Sequence, residues 1–281
     1  MNLQIPLKVI LLVLAIFDFI LGTIFIFFGG YLLPALNLAD YVQPRFFMIC
    51  VGLFLYQYVY VQFTAFRDIK KYSTCLNMTV LIRLSFPFIY ISAIFLWGSP
   101  FGLLHSIFIV SAVLDLAACI FALYAMRKLG IPFFKGDESP FSSLKGPRLL
   151  RIILIMLAVA EFLISWNWII APKFWLRFFD IGYTVDPVWT RATGLLILNI
   201  AYIQLLGYLN VYKYRTAVIT SGLFRALWPI LYWYWTITGE GNSLFKTSIM
   251  FFSFFDAIMC IVIFSLLKKA MSEAKANIPV K

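Results

Sequence analysis

Eight runs of about twenty apolar residues recur along this chain, at positions 7–29, 46–66, 77–97, 102–126, 149–171, 192–212, 217–237 and 244–267. A helix crosses the roughly 30 Å hydrocarbon core in about 20 residues. Inside lipid only a helix or a closed barrel satisfies its own backbone. A barrel would alternate polar and apolar residues in segments of about ten, a pattern absent from these runs. The expectation is therefore an all-α polytopic membrane protein with eight transmembrane helices. Composition excludes the ordinary soluble alternative: 63% of residues are hydrophobic, 12% are charged, and the mean hydropathy is +0.94. Soluble domains carry about 25% charged residues. The first run is too long for a signal-peptide core, carries Asp18 and is followed by no clean cleavage site, so it reads as a retained span.

The formal net charge of +11 does not indicate nucleic acid, because the 23 Lys and Arg are spread over short loops rather than gathered on one face. Counted by side, 16 fall on the side of the termini, five on the opposite side and two inside spans. Positive charge accumulates in the cytoplasm, so both termini are expected there. The Asn77-Met78-Thr79 sequon then faces the side where no glycosylation occurs. All eight tryptophans point toward the opposite half, as an interfacial belt or as the lining of an outer cavity. Cys50, Cys75, Cys119 and Cys260 lack metal-ligand spacing and read as packing residues. The single histidine, His105, excludes a multi-histidine metal or haem centre and reads as a surface residue at the outer mouth of the fourth run. No metal site is expected, and no motif names a cofactor.

The two halves of the chain match each other. Val13–Phe19, which contains Asp18, parallels Met156–Phe162, which contains Glu161. Arg45 opens the second run as Arg191 opens the sixth. The segment Arg83-Leu84-Ser85-Phe86-Pro87-Phe88-Ile89-Tyr90 parallels Arg225-Ala226-Leu227-Trp228-Pro229-Ile230-Leu231-Tyr232, and Asp115 with Cys119 parallels Asp256 with Cys260. The spacings agree: acid to first Arg 27 against 30, Arg to Arg 38 against 34, second Arg to Asp 32 against 31. Four spans per half is an even number, so the repeats share orientation about an axis along the membrane normal. The expected organisation is a first four-helix repeat at 1–128, a cytoplasmic linker at 129–148, a second repeat at 149–271 and a basic cytoplasmic tail at 272–281. Gly130, Pro132, Gly136, Pro140, Gly146 and Pro147 break helix in the linker.

Ionisable residues inside the spans are the candidate site. They are Asp18, Arg83 and Asp115 in one half and Glu161, Arg225 and Asp256 in the other, with Arg45 and Arg191 at the outer boundary. Each central charge costs about 2.5–3.5 kcal/mol to insert, so six must pair, face the bundle interior or become neutral. Two acids and two arginines per half would make a locally neutral set. Pro87 and Pro229 each free the carbonyl of the arginine four residues earlier. Tyr90 and Tyr232 lie seven residues on from those arginines, on the same helical face. The sets read either as clamps that fix helix packing or as polar pockets for a ligand or proton.

A four-span unit with an acid in its first helix, an arginine opening its second and another in its third resembles the DoxX-like group of small membrane proteins, here duplicated. The resemblance rests on Asp18 and Glu161, Arg45 and Arg191, and their spacing. It implies a membrane-protein partner or a lipophilic ligand; some members are subunits of quinone-linked oxidoreductases, but no dithiol motif accompanies the match here. The leading expectation is a non-enzymatic accessory subunit or binder of a lipid or small ligand through its Arg–carboxylate clusters. A proton-coupled secondary transporter with Asp18 and Glu161 titrating is an alternative, as is a membrane enzyme acting on a lipophilic substrate. Nucleic acid is not an expected partner.

Overall fold

The computed structural model describes residues 3–36, 45–95, 103–181, 188–239 and 241–276, and among these there is helix and no strand. In chain order the helices are α1 (Gln4–Thr23), a π-helical turn (Ile24–Phe28), α2 (Gly29–Ala35), α3 (Arg45–Arg67), α4 (Ser73–Phe95), α5 (Leu103–Lys128), α6 (Arg148–Ile170), α7 (Pro172–Phe178), α8 (Val188–Leu209), α9 (Arg215–Thr238) and α10 (Ser243–Ala276). Seven helical segments are long and apolar enough to cross a membrane. The exception among the expected spans is α9, which has the length, 24 residues, but a lower hydropathy. Arg225 interrupts it, and Trp233, Tyr234 and Trp235 replace aliphatic residues near its end. Two other boundaries differ from the sequence reading. The first helix continues through the π turn to Ala35, and α10 runs nine residues beyond 267 to Ala276. Trp97, residues 277–281 and the His105 side chain lie outside the described residues.

Packing follows one scheme in each half. In the first, α1 lies against α3, α3 against α4, α4 against α5, and α5 returns to touch α1. In the second, α6 lies against α8, α8 against α9, α9 against α10, and α10 returns to α6. The halves meet through α3 and α4 on one side and α8 and α9 on the other. Burial obeys this layout: 72% of the apolar window of α3 and 67% of those of α4 and α8 are buried, against 22–33% for α1, α5, α6 and α10. The outer helices keep large apolar side chains exposed along their length, among them Val13, Leu114, Met156 and Ile261. Apolar patches of that extent on a folded surface mark a non-aqueous surrounding or partner.

Glycine sets the closest approaches. A β-carbon on Gly52 of α3 would lie 3.0 Å from the carbonyl oxygen of Gly22 and 2.7 Å from the Ile26 side chain, both on the α1 side. On Gly194 of α8 it would lie 3.0 Å from the Ser165 carbonyl oxygen of α6. Small residues let helix backbones pack closely where water supplies no hydrophobic drive between them.

The segment after α5 is a strap fastened to both halves. Glu138 N donates to Lys71 O (3.0 Å), in the α3–α4 turn, and Val211 N, in the α8–α9 turn, donates to Lys145 O (3.1 Å). Asn210 Nδ2 donates to Ser142 O (2.9 Å) and Tyr214 OH to Phe134 O (3.1 Å). Gly136 adopts φ +82°, and a β-carbon there would fall 2.7 Å from the Lys213 carbonyl oxygen, so this crossing needs glycine on both counts. At its centre the Asp137 carboxylate caps two helices at once. It accepts from Thr74 N at the start of α4 (3.3 Å) and from Thr216 N (2.9 Å) and Oγ1 (2.7 Å) at the start of α9. Burial pushes the Asp137 carboxyl above its usual range, and these hydrogen bonds from Thr216 and Thr74 hold part of that rise back.

Candidate functional site: two arginine–carboxylate triads and their cavities

Asp18, on the inner face of α1, is 1% exposed, because Leu7, Leu11, Ala15 and Gly22 continue the same buried stripe. Arg83 reaches it from α4 with Nη2 donating to Asp18 Oδ2 at 2.5 Å, while Nη1 donates to Asp115 Oδ1 of α5 at 2.9 Å. Gln62 of α3 adds a third arm, Nε2 donating to Asp18 Oδ2 at 2.7 Å. One residue from each of the four helices of the half thus meets at a point. Removing an ion from water costs several kcal/mol, about 3–5 when a buried partner is lost, so the forked guanidinium gripping two carboxylates is what makes this burial tolerable.

The second half builds the same triad. Arg225 of α9 donates through Nη2 to Glu161 Oε1 of α6 at 2.5 Å and through Nη1 to Asp256 of α10. Both arginines also lie over aromatic rings, Arg83 5.7 Å from Phe86 and Arg225 5.9 Å from Phe224 and 5.7 Å from Phe255. That placement suits a weakly hydrated, delocalised cation.

Arg45 and Arg191 do not join these clusters. They stand at the first turns of α3 and α8; Arg45 is exposed and Arg191 half-buried. Arg45 instead lies beside Gly30 of α2, close to where a β-carbon on that glycine would project. The four-residue neutral set expected from the sequence is therefore a triad of two acids and one arginine. The arginine at the head of each second helix is too far along its helix to reach the acids. With every group ionised each triad carries one surplus negative charge. A buried site resolves that surplus by holding a proton or by meeting a cation.

Each triad opens into its own cavity. In the first half a cavity of about 590 Å³ is lined by Asp18, Arg83, Asp115 and Tyr90, with mostly aliphatic walls such as Leu21, Leu33, Val51 and Leu55. In the second half a cavity of about 160 Å³ is lined by Glu161, Arg225, Asp256 and Tyr232, with aromatic walls including Phe47, Trp168 and Trp228. Exposed residues complete both linings: Phe17 of α1 and Leu114 of α5 in the first, Ala160 of α6 and Phe252 of α10 in the second. Both cavities therefore reach the outer surface at the seam where the first and last helices of a half meet.

Ten sequence-predicted residues sort cleanly. Asp18, Arg83, Asp115 and Tyr90 come together, as do Glu161, Arg225, Asp256 and Tyr232, while Arg45 and Arg191 lie apart. The sequence reading missed Gln62, which lies 17 residues from Arg45 and whose signal was a buried amide in an apolar run. It also missed Asp137, concealed among the linker's other charges. The tryptophans divide: Trp189, Trp228 and Trp235 are buried, Trp168 is half-buried, and Trp166 and Trp233 are exposed. Cys119 donates from Sγ to Val80 O at 3.5 Å, and all four cysteines are unpaired. Among the described residues no group of three His, Cys, Asp or Glu is arranged to hold a metal. No known family, curated protein or solved structure matches this chain.

Proposed function

We propose that the chain is an eight-span integral membrane protein made of two parallel four-helix repeats, with both termini cytoplasmic, and that it binds a lipophilic ligand in the first-half cavity. The repeat is supported by the matching ring of helix contacts and by two triads drawn from corresponding helices. Exchange symmetry at the junction supports it too, since α3 meets α9 as α8 meets α4. In this reading α9 is a span whose first half is enclosed by α3, α4, α8 and α10, where low hydropathy is tolerated, while Ile230, Trp233, Tyr234 and Ile237 toward its end face outward.

The observation that carries the ligand reading is the first cavity itself. Its 590 Å³ falls within the roughly 300–1,000 Å³ of ligand pockets, its walls are apolar, and its polar groups converge at one end. A molecule entering between α1 and α5 would leave its apolar body among Leu21, Val51 and Leu55 and present a polar head to Arg83 and its carboxylates. Asp18 and Arg83 line that end of the cavity, and Asp18 Oδ1 and Arg83 Nε behind it are buried and without a partner among the described residues. The resemblance to the DoxX-like group would imply the same class of ligand.

The test is native mass spectrometry of protein extracted from its own membranes in a mild detergent, comparing wild type with Val51→Trp, which fills the cavity. The reading expects a stoichiometric lipophilic adduct on the wild type and its loss from the folded variant. A bare wild type, or an adduct unaffected by the tryptophan, contradicts it. A stoichiometric protein partner without a small adduct would favour the accessory-subunit reading.

A second reading, proton-coupled transport, is favoured by the surplus carboxylate in each triad. Asp18→Asn and Glu161→Gln proteoliposomes should then lose proton-driven flux; flux retained by both removes it.

A further inference from the structure

The second cavity is a different site from the first, and we infer that it takes a small organic ammonium ion carrying an oxygen acceptor. The inference does not depend on the first cavity being occupied. The second cavity is less than a third of the first in volume, about 160 against 590 Å³. A dry engineered cavity of about 150 Å³ holds benzene, so the space admits a molecule of six or seven heavy atoms and no acyl chain.

Its walls select charge. Phe47, Trp168, Trp228 and Tyr232 line it from three different helices, α3, α6 and α9; Phe47 and Trp168 meet edge-to-face at 4.8 Å, and Trp228 and Tyr232 are tilted at 48° and 5.5 Å. Aromatic side chains on several sides are a lining with which proteins hold quaternary and protonated amines. The charge needed to match is already present. Glu161 and Asp256 share one guanidinium, so with both ionised one negative charge is left over, and a bound cation would neutralise it. The Arg225 cation does not fill this role, because its two terminal nitrogens are occupied by the two carboxylates.

Two donors describe the rest of the ligand. Trp228 is 2% exposed and its Nε1–H has no acceptor among the described residues; Arg225, 3% exposed, has its Nε–H in the same condition. A buried donor left unpaired is costly; both atoms are closed off from the cavity in this structure, so a hydroxyl or carbonyl oxygen near the ammonium pairs with them only as their side chains turn toward it. An amino alcohol such as choline has this combination, whether as a free ion or as a lipid headgroup.

The experiment uses the full chain in phosphatidylglycerol nanodiscs, titrated with choline chloride and followed by tryptophan emission and thermal midpoint. Sodium chloride at equal ionic strength and 3,3-dimethylbutan-1-ol, the neutral carbon isostere of choline, are the controls. A saturable response to choline, at least about tenfold weaker with the isostere, is expected. Trp228→Leu and Asp256→Asn should abolish it. If Asp256→Asn fails to fold, Trp168→Leu, outside the triad, should still weaken the response by about tenfold. The inference is overturned by no saturable response, by equal response to the isostere, or by wild-type affinity in both tryptophan variants. Repeating the titration in phosphatidylcholine discs separates the sources. A response lost there marks the lipid headgroup as occupant, and a response retained marks the free ion; both support the ammonium site. Failure here with a lipophilic adduct still present in the first cavity would leave the proposed function standing.

Discussion

At the scale of single residues, two arginines each hold two buried carboxylates. Replacing Arg83 or Arg225 by leucine leaves two buried carboxylates facing each other without a counter-charge, and should cost about 3–5 kcal/mol. Asp18→Asn, which keeps the shape and one acceptor, should cost less. Arg45→Ala and Arg191→Ala, at more exposed helix starts, should each stay within about 1 kcal/mol. Unfolding in mixed micelles with increasing denaturing detergent reads all five. Asp137 makes a separate prediction. Burial raises its carboxyl above 3.8, so the folded chain binds its proton more tightly than the unfolded chain does. Stability relative to Asp137→Asn should therefore fall as pH rises through 3.8 and the range just above it; a rise over that interval contradicts the assignment. Which acids meet which arginine was legible in the sequence, because spacings of 32 and 31 residues recur and an apolar span tolerates no unpaired charge. The exclusion of Arg45 and Arg191 was not. Their reach depends on where along α3 and α8 they begin, and helix starts are the least certain feature of an apolar run.

Among elements, the α1–α3 contact is set by a glycine at close approach. Gly52→Val would drive a side chain into the Gly22 carbonyl and Ile26, and should destabilise by about 1–3 kcal/mol while Gly30→Ala, with nothing nearer than 3.9 Å, should be close to neutral. Thermal unfolding of the two variants checks this. Equal effects would show that the two helices are not held at this distance. The long helices were readable because lipid-length apolar runs leave little choice. The π turn at Ile24–Phe28 and the extension of α10 to Ala276 were not, since they follow from packing, with Ala270 and Ala274 buried beside Phe141 and Tyr212, rather than from hydropathy. The linker's glycines and prolines announced a break in helix. That the break becomes a strap tied to both halves depends on Asp137, Gly136 and the two turns it crosses, which sequence separates by more than sixty residues.

For the whole molecule, the expected topology places Lys145 and Lys275 on one side and Lys173 on the other. Single cysteines introduced at these positions in a cysteine-free background should label with an impermeant maleimide from the cytoplasmic side for the first two and from the opposite side for the third. Labelling of position 145 from outside overturns the orientation. The ordered matches between halves were legible in the sequence, and like helix contacts and like triads accompany them. The unequal cavities were not legible, because a volume is set by side chains converging from several helices, and the pair Phe86/Trp228 carries no sign of it when read along the sequence alone.

The central claim, that two like four-helix units each turn one arginine and two acids inward around a cavity, is tested most directly by an experimental density map of the protein in lipid nanodiscs. The account predicts that α1, α3, α4 and α5 superpose on α6, α8, α9 and α10, with Arg83 between Asp18 and Asp115 and Arg225 between Glu161 and Asp256. Carboxylates facing the acyl chains, or halves that do not superpose, would contradict it.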